Sequence, residues 1–304
     1  MTAEEQQKAR QGVLLALGAY TMWGIAPIYF KSLAAVSPLE ILSHRVVWSF
    51  FLLAALLHFG RHWRTVRDVL TSKSKMLYLV TTAILVGANW LIFIWAVNAN
   101  HMLDASLGYY INPLINVLLG MLFLGERLRK LQWFAVTLAT CGVLVQLVVF
   151  GSVPIVAIAL AFSFGFYGLL RKKVSVDAQT GLFIETLVML PAAAIYLLFI
   201  ASTPTSNMLA NPAHLNVLLV AAGVVTTLPL LCFTGAATRL KLSTLGFFQY
   251  IGPSLMFLLA VLIYGEAFTS DKAITFAFIW GALVLFSFDG LRYSRKNRRT
   301  RQTN

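Results

Sequence analysis

Charges are scarce in this chain, so each one that falls inside an apolar stretch is a candidate for chemistry. Arg45 and Glu185 are the two clear cases. A charged side chain at the centre of a bilayer costs roughly 2.5–3.5 kcal/mol on insertion scales, so its presence there points to function. Arg45 follows the start of its apolar run, Leu39, by six residues, and Glu185 follows Gln179 by six. At a rise of ~1.5 Å per residue each sits ~9 Å inside its own edge. The two edges are opposite ones, so a hydrocarbon core ~30 Å thick leaves the pair about 12 Å apart in depth, too far for a direct ion pair. An arginine so placed can hold an anionic group of a substrate, and the glutamate can exchange a coupling proton. Each can instead satisfy a buried helix end or a neighbouring carbonyl. His44 adjoins Arg45 and offers a proton relay. Adjacent helix positions point in different directions, however, and a hydrogen-bonded packing role suits His44 as well.

A second group is polar or aromatic at mid-membrane depth. Asn112 and Asn116 flank Pro113, with Tyr109 one turn before; Gln249 and Tyr250 precede Pro253. A proline inside a helix removes a hydrogen bond and kinks it, and the freed carbonyls can face a cavity. Asn89, Trp90 and Trp95 come from another apolar run, Tyr20 and Trp23 from the first, Ser163 and Tyr167 from the sixth. Together they would line an amphipathic cavity. Taken singly, each serves equally well as glue between helices.

Catalytic and metal chemistry find little support. Cys141 and Cys232 lack a CxxC partner. His58 and His62 have helical spacing but no carboxylate beside them, and His101 and Asp104 share a tight turn. There is no GxxxxGK[ST] phosphate loop, so nucleotide hydrolysis is not indicated. No cofactor or metal is implied.

The elements that position these residues are membrane spans. Of 304 residues, 59% are apolar and 12% charged, with a mean hydropathy of +0.78; a soluble domain carries about a quarter charged residues. Ten runs of ~20 apolar residues fall at 12–34, 39–59, 76–97, 103–124, 131–150, 153–170, 179–200, 215–237, 243–263 and 273–291. The first is too long for a cleaved leader and is read as a span. Connections are short, and even 60–75 and 201–214 leave no room for a separate domain. With the N-terminus in the cytoplasm, 21 lysines and arginines fall on the inside, Lys31 and Lys272 fall outside, and Arg45 lies within a span. That asymmetry places both termini in the cytoplasm. It also accounts for the net charge of +13 without nucleic acid. Six basic residues of the tail suit anionic lipid headgroups. Asp289 is expected to reach water, and Trp63, Trp133 and Tyr264 to anchor at the interface.

The ten runs form two sets of five. Ile111-Asn112-Pro113 leads, after eleven residues, to Gly125-Glu126; Ile251-Gly252-Pro253 leads, after eleven, to Gly265-Glu266. Trp23-Gly24 aligns with Phe164-Gly165, Lys31 with Lys172, and Ser106-Leu107-Gly108 with Thr244-Leu245-Gly246. The division falls at 1–150 and 151–304. Five is odd, so the second copy is inverted, and inverted repeats build carriers with a midplane site and two related conformations. Gly125 and Gly265 fit helix stops. A carboxylate at a helix C-terminus opposes the dipole, so Glu126 and Glu266 are read as structural, accepting backbone N–H groups of the next helix. The fifth and tenth runs carry few interior polar groups and belong at the periphery.

The five-helix unit, its tryptophan-glycine and its proline followed by glycine-glutamate resemble the EamA unit of the drug/metabolite transporter superfamily. Gly12–Lys31, Glu40–Phe51, Asn89–Glu126, Ala161–Lys173 and Ser243–Glu266 carry the likeness. The resemblance implies an all-α membrane protein of ten transmembrane helices in two inverted EamA-type repeats, in a bacterial inner membrane, exporting a metabolite, an amino acid-like compound or a drug. The expected partners are a small-molecule substrate, coupled protons and the lipid bilayer; pairing of two copies stays open. A passive facilitator or channel, and more remotely a membrane-embedded transferase, are the alternatives.

Overall fold

A computed structural model describes residues 3–98, 102–151, 155–263 and 270–302, and among these the regular structure is helical, with no strand. The helices are α1 (Ala3–Lys31), α2 (Pro38–Phe59), α3 (Trp63–Leu70), α4 (Lys73–Asn98), α5 (Met102–Leu124) and α6 (Lys130–Phe150). They continue with α7 (Ile155–Lys173), α8 (Ala178–Ile195, running into a π-helical turn at Tyr196–Ile200), α9 (Ala213–Arg239), α10 (Leu242–Gln249), α11 (Ile251–Leu262) and α12 (Ser270–Gln302). Among the described residues nine stretches are long and apolar enough to cross a membrane, and α5 adds a shorter apolar one, Gly108–Leu124. Leucines and phenylalanines line the outside of the bundle as freely as its inside, as lipid-facing helices require; Leu77, Val148, Phe199 and Val284 are well exposed.

Helix ends meet in a consistent way. Gly12 near the start of α1 abuts Arg239 and Leu240 at the end of α9. Lys172 at the end of α7 donates to the carbonyls of Ala237, at 3.0 Å, and Leu240. Arg129, which opens α6, pairs with Asp289 late in α12. Both arms of the chain therefore lie at one end of the bundle, called the basic end below. Asp289 is a buried ion-pair partner there rather than a group reaching water, and Arg129 also stacks over Tyr293 at 4.5 Å. The short amphipathic α3 was not foreseen from the sequence. It lies at the same end, with Val66 and Val69 buried in the main core and Trp63 set edge-on to Phe183 at 5.4 Å. Trp63 and Trp133 keep substantial exposure, as interface anchors do; Tyr264 lies outside the described residues.

Packing follows the sequence repeat. α1 lies against α9 and α11; α7, which matches α1 in the alignment, lies against α4 and α5, which match α9 and α11. α2 meets α8, α5 meets α10, and α6 meets α12. The aligned glycines occupy matching contacts. A Cβ on Gly24 would sit 2.7 Å from Leu255 of α11, and one on Gly165 would sit 2.8 Å from Ile115 of α5. Close backbone approach of this kind is how helices associate in lipid. α6 packs mainly on α12 at the flank of the bundle.

Candidate cavity and the charges around it

Two prolines shape the centre differently. Pro253 cannot donate to the Gln249 carbonyl four residues earlier, and the helix breaks between Gln249 and Ile251. Pro113 is accommodated within a continuous α5. Its carbonyl faces α10 instead, where a Cβ on Gly246 would meet it at 2.7 Å. The kink expected at both positions is therefore a break at one.

A cavity of about 380 Å³ opens beside that break. Its walls are α1 (Tyr20, Trp23, Pro27, Phe30), α2 (Pro38, Ile41, Arg45), α4 (Asn89, Trp90, Phe93), α5 (Gly108, Tyr109, Asn112), α7 (Leu160, Phe164) and the α10–α11 break (Gln249, Pro253, Met256). Neither α6 nor α12 contributes a wall residue. Most of the walls come from the second halves of α1 and α4, the first halves of α2, α5 and α7 and the α10–α11 break, so the cavity lies toward the end opposite the basic one.

Nine of the sequence candidates meet here: Tyr20, Trp23, Arg45, Asn89, Trp90, Tyr109, Asn112, Gln249 and Pro253. Arg45 donates from Nε to Thr226 Oγ1 at 2.7 Å, and its guanidinium lies over the rings of Trp90 at 4.6 Å and Phe30 at 5.6 Å. Asn89 donates to the Leu160 carbonyl and Ser163 Oγ, both at 2.9 Å. Asn116 sits just behind the wall and is fully buried; its amide donates to Asn112 Oδ1 at 3.2 Å and Gln249 Oε1 at 2.9 Å. Tyr250 is also behind the wall, donating to the Tyr110 carbonyl at 3.2 Å. His44 points elsewhere: its Nδ1 accepts from Trp48 Nε1 at 3.2 Å within a buried setting. The side chain of Trp95 lies outside the described residues.

Glu185 and Tyr167 belong to a second, buried polar cluster. Glu185 accepts from Thr82 at 2.6 Å and from Tyr167 at 3.3 Å, and its Oε1 lies 3.6 Å from Nε of Arg171. Arg171 was counted among the water-facing basic residues, yet it is fully buried. Gly181 makes the space for it: a Cβ there would fall 1.9 Å from the guanidinium. One helical turn separates Tyr167 from Arg171, and that spacing was the available signal; the adjoining Lys172 and Lys173 disguised it. Arg45 and Glu185 are not ion-paired with each other, as their depths implied. Both line a void of about 10 Å³, with Thr226, Thr227 and Ser49, room for about one water. Arg45, Trp90 and Leu230 line the void and the cavity alike.

The two halves are joined at the basic end. Glu126 accepts from Leu242 N at 2.6 Å, Ser243 N at 2.9 Å and Ser243 Oγ at 2.6 Å. Gly125, at φ +61°, turns the chain out of α5 so that the carboxylate can reach α10. The structural role expected of Glu126 is thus confirmed, but the helix it caps is α10 of the other half. Glu266, its aligned partner, lies outside the described residues, as does Gly265.

Apolar helices walled around a cavity define a multi-pass helical membrane protein. The chain belongs to the EamA-like transporter family, whose model matches twice, over residues 10–148 and 152–288. It is 77% identical to an uncharacterized transporter of Vibrio cholerae over 98% of both chains. It is 64% identical to Protein RarD of Salmonella typhimurium, over 96% of this chain and 99% of that one, and 34% identical to the chloramphenicol-sensitive protein RarD of Pseudomonas aeruginosa over 95% and 97%. A solved crystal structure superposes with a TM-score of 0.69 at 20% identity, covering 90% of this chain and 96% of its own, a likeness of fold. The family is one of membrane transport, and the chain is RarD-like within it.

Proposed function

We propose that the protein is a secondary transporter of the bacterial inner membrane that exports a small metabolite, amino acid-like compound or drug by alternating access. The observation that carries this reading is a cavity walled by both halves of the chain, 1–150 and 151–304, with helix ends bonded at the basic end by Glu126 and Lys172. The packing of α1 with α9 and α11, repeated by α7 with α4 and α5, is what an inverted duplication of five helices per half produces. In this reading the ten helices place both termini and the basic end in the cytoplasm, and the cavity faces outward. The second conformation would close the outer side, where the repeat supplies Lys31 and Glu266 in the places of Lys172 and Glu126.

Protons are the proposed coupling ion, with Glu185 as carrier. Thr82 from α4 and Tyr167 and Arg171 from α7 surround its carboxylate, and the water-sized void connects it to Arg45 and the cavity wall. The test is flux in proteoliposomes under an imposed pH gradient. Wild-type flux should saturate, show counterflow and respond to the gradient. Glu185→Asp should keep that response, and Glu185→Gln, checked as folded by gel filtration, should lose it. An unchanged response in Glu185→Gln removes Glu185 as carrier. Flux without saturation or counterflow favours the facilitator.

A further inference from the structure

Two arginines, Arg45 and Arg171, are held inside the described bundle and a third, Arg129, at its basic end, and they are treated differently. Arg171 faces Glu185, and Arg129 is paired with Asp289. Among the described residues Arg45 has no carboxylate partner: its contacts are a threonine hydroxyl and two aromatic faces. It is also the only charged residue among the described residues of the cavity wall, which contains no aspartate or glutamate. An arginine whose Nε is tied back to Thr226 presents the outer fork of its guanidinium, a planar pair of donors that matches the two oxygens of a carboxylate. The ring faces of Trp90 and Phe30 lie beside the guanidinium without supplying an acceptor.

The amides on the opposite wall have the same polarity. Asn116 has two N–H donors, and both are spent on the side-chain oxygens of Asn112 and Gln249. The NH₂ groups of Asn112 and Gln249 are then left for the cavity. The reverse assignment would bury both donors of Asn116 without an acceptor, whereas this one leaves a single oxygen unmet, Asn116 Oδ1. The cavity is therefore rich in donors, positive at one point and aromatic elsewhere.

We propose that the cavity selects a small organic anion with an aromatic body, its acidic group on the fork of Arg45, its ring against Trp90 and Phe30, and any further oxygen on Asn112 or Gln249. This rests on the reading of the cavity as the substrate site. It narrows that reading, because the ammonium of a zwitterionic amino acid would find no carboxylate among the described residues of the wall. At about 380 Å³ the space suits one small molecule of this kind.

Four probes with one benzyl body test it: phenylacetate, phenylacetamide, phenethylamine and phenylalanine, titrated against the purified full chain by thermal shift and by quenching of tryptophan fluorescence. Phenylacetate should bind at least tenfold more tightly than phenylacetamide, phenylalanine more weakly than phenylacetate, and phenethylamine least. Arg45→Gln should erase the preference of acid over amide and Arg45→Lys should keep part of it, which a merely structural arginine would not do. Equal binding of acid and amide, stronger binding of the amine, no binding by any probe, or a preference that survives Arg45→Gln would overturn the proposal. Counterflow of phenylmethanesulfonate, which stays charged and cannot leak as a neutral acid, separates the two readings. Acid-selective binding without counterflow removes the carrier and leaves the selectivity. Counterflow of phenethylamine unaffected by phenylacetate removes the selectivity and leaves the carrier.

Discussion

Replacing Glu126 by glutamine should unlock the basic end of the bundle. The carboxylate accepts three hydrogen bonds from the first residues of α10: Leu242 N, Ser243 N and Ser243 Oγ. It also lies at the positive end of that helix, where an anion is favoured. Glutamine with its oxygen in the place of Oε2 keeps the two bonds from Ser243 but turns its NH₂ toward the Leu242 N–H, so one bond is lost and the other two weaken to bonds with a neutral acceptor. Hydrogen bonds to a charged group contribute about 1.5–3 kcal/mol each. The residue is buried, but the turn into α10 lies near the bundle end, where water can replace part of the loss once the seam parts. A net cost of about 3 kcal/mol to the closed seam follows, and at 1.4 kcal/mol per tenfold that is roughly a hundredfold change in its closing equilibrium. Ser243→Ala, which removes one bond and leaves both backbone donors satisfied, should cost about a third as much.

Hydrogen exchange read by mass spectrometry reports this directly, because amide protection measures local opening. In lipid nanodiscs, peptides covering the start of α10 should exchange roughly a hundredfold faster in Glu126→Gln and a few-fold faster in Ser243→Ala, with α6 and α12 unchanged. Exchange at the wild-type rate would show that Glu126 does not hold the seam. Equal loss of protection in α6 and α12 would show global loosening instead, and would refute the assignment of these bonds to a gate.

Two further predictions concern packing. Gly246→Ala would place a Cβ 2.7 Å from the Pro113 carbonyl oxygen, a backbone atom that cannot swing away; it should lower stability by about 1–3 kcal/mol in a thermal melt. Gly290→Ala, where nothing lies within 4 Å, is the neutral control. Removing one partner of a buried ion pair costs about 3–5 kcal/mol, whereas replacing both by apolar residues is often neutral. Arg171→Met alone should therefore destabilise strongly, and Arg171→Met with Glu185→Leu should recover most of the loss; additive losses would show that the two side chains do not act as a pair.

The apolar spans could be read from the sequence, because they follow from hydropathy. Arg45, Trp23, Asn89, Trp90 and Gln249 were found in this way, as intrusions of polarity into apolar runs, and they converge on one cavity. The method fails where a charge is hidden at a run's end. Arg171 stands in a basic cluster that the topology rule explains by itself, and nothing local distinguishes the one residue that turns inward from its neighbours that stay out. Its partner Glu185 was identified as a coupling carboxylate, but the pairing with Arg171 was not, since one-dimensional depth says nothing about which face a residue takes. Gly181 was the missing clue: a glycine one turn before a buried acid, in a helix with no turn to make, marks room reserved for a neighbour's head group. Glu126 was misplaced for a related reason. A carboxylate at the end of one helix must serve another, and in a duplicated fold that helix can belong to the opposite half, far away in sequence. The repeat thus predicts which residues are paired in role, while their contacts are set by how the halves interlock.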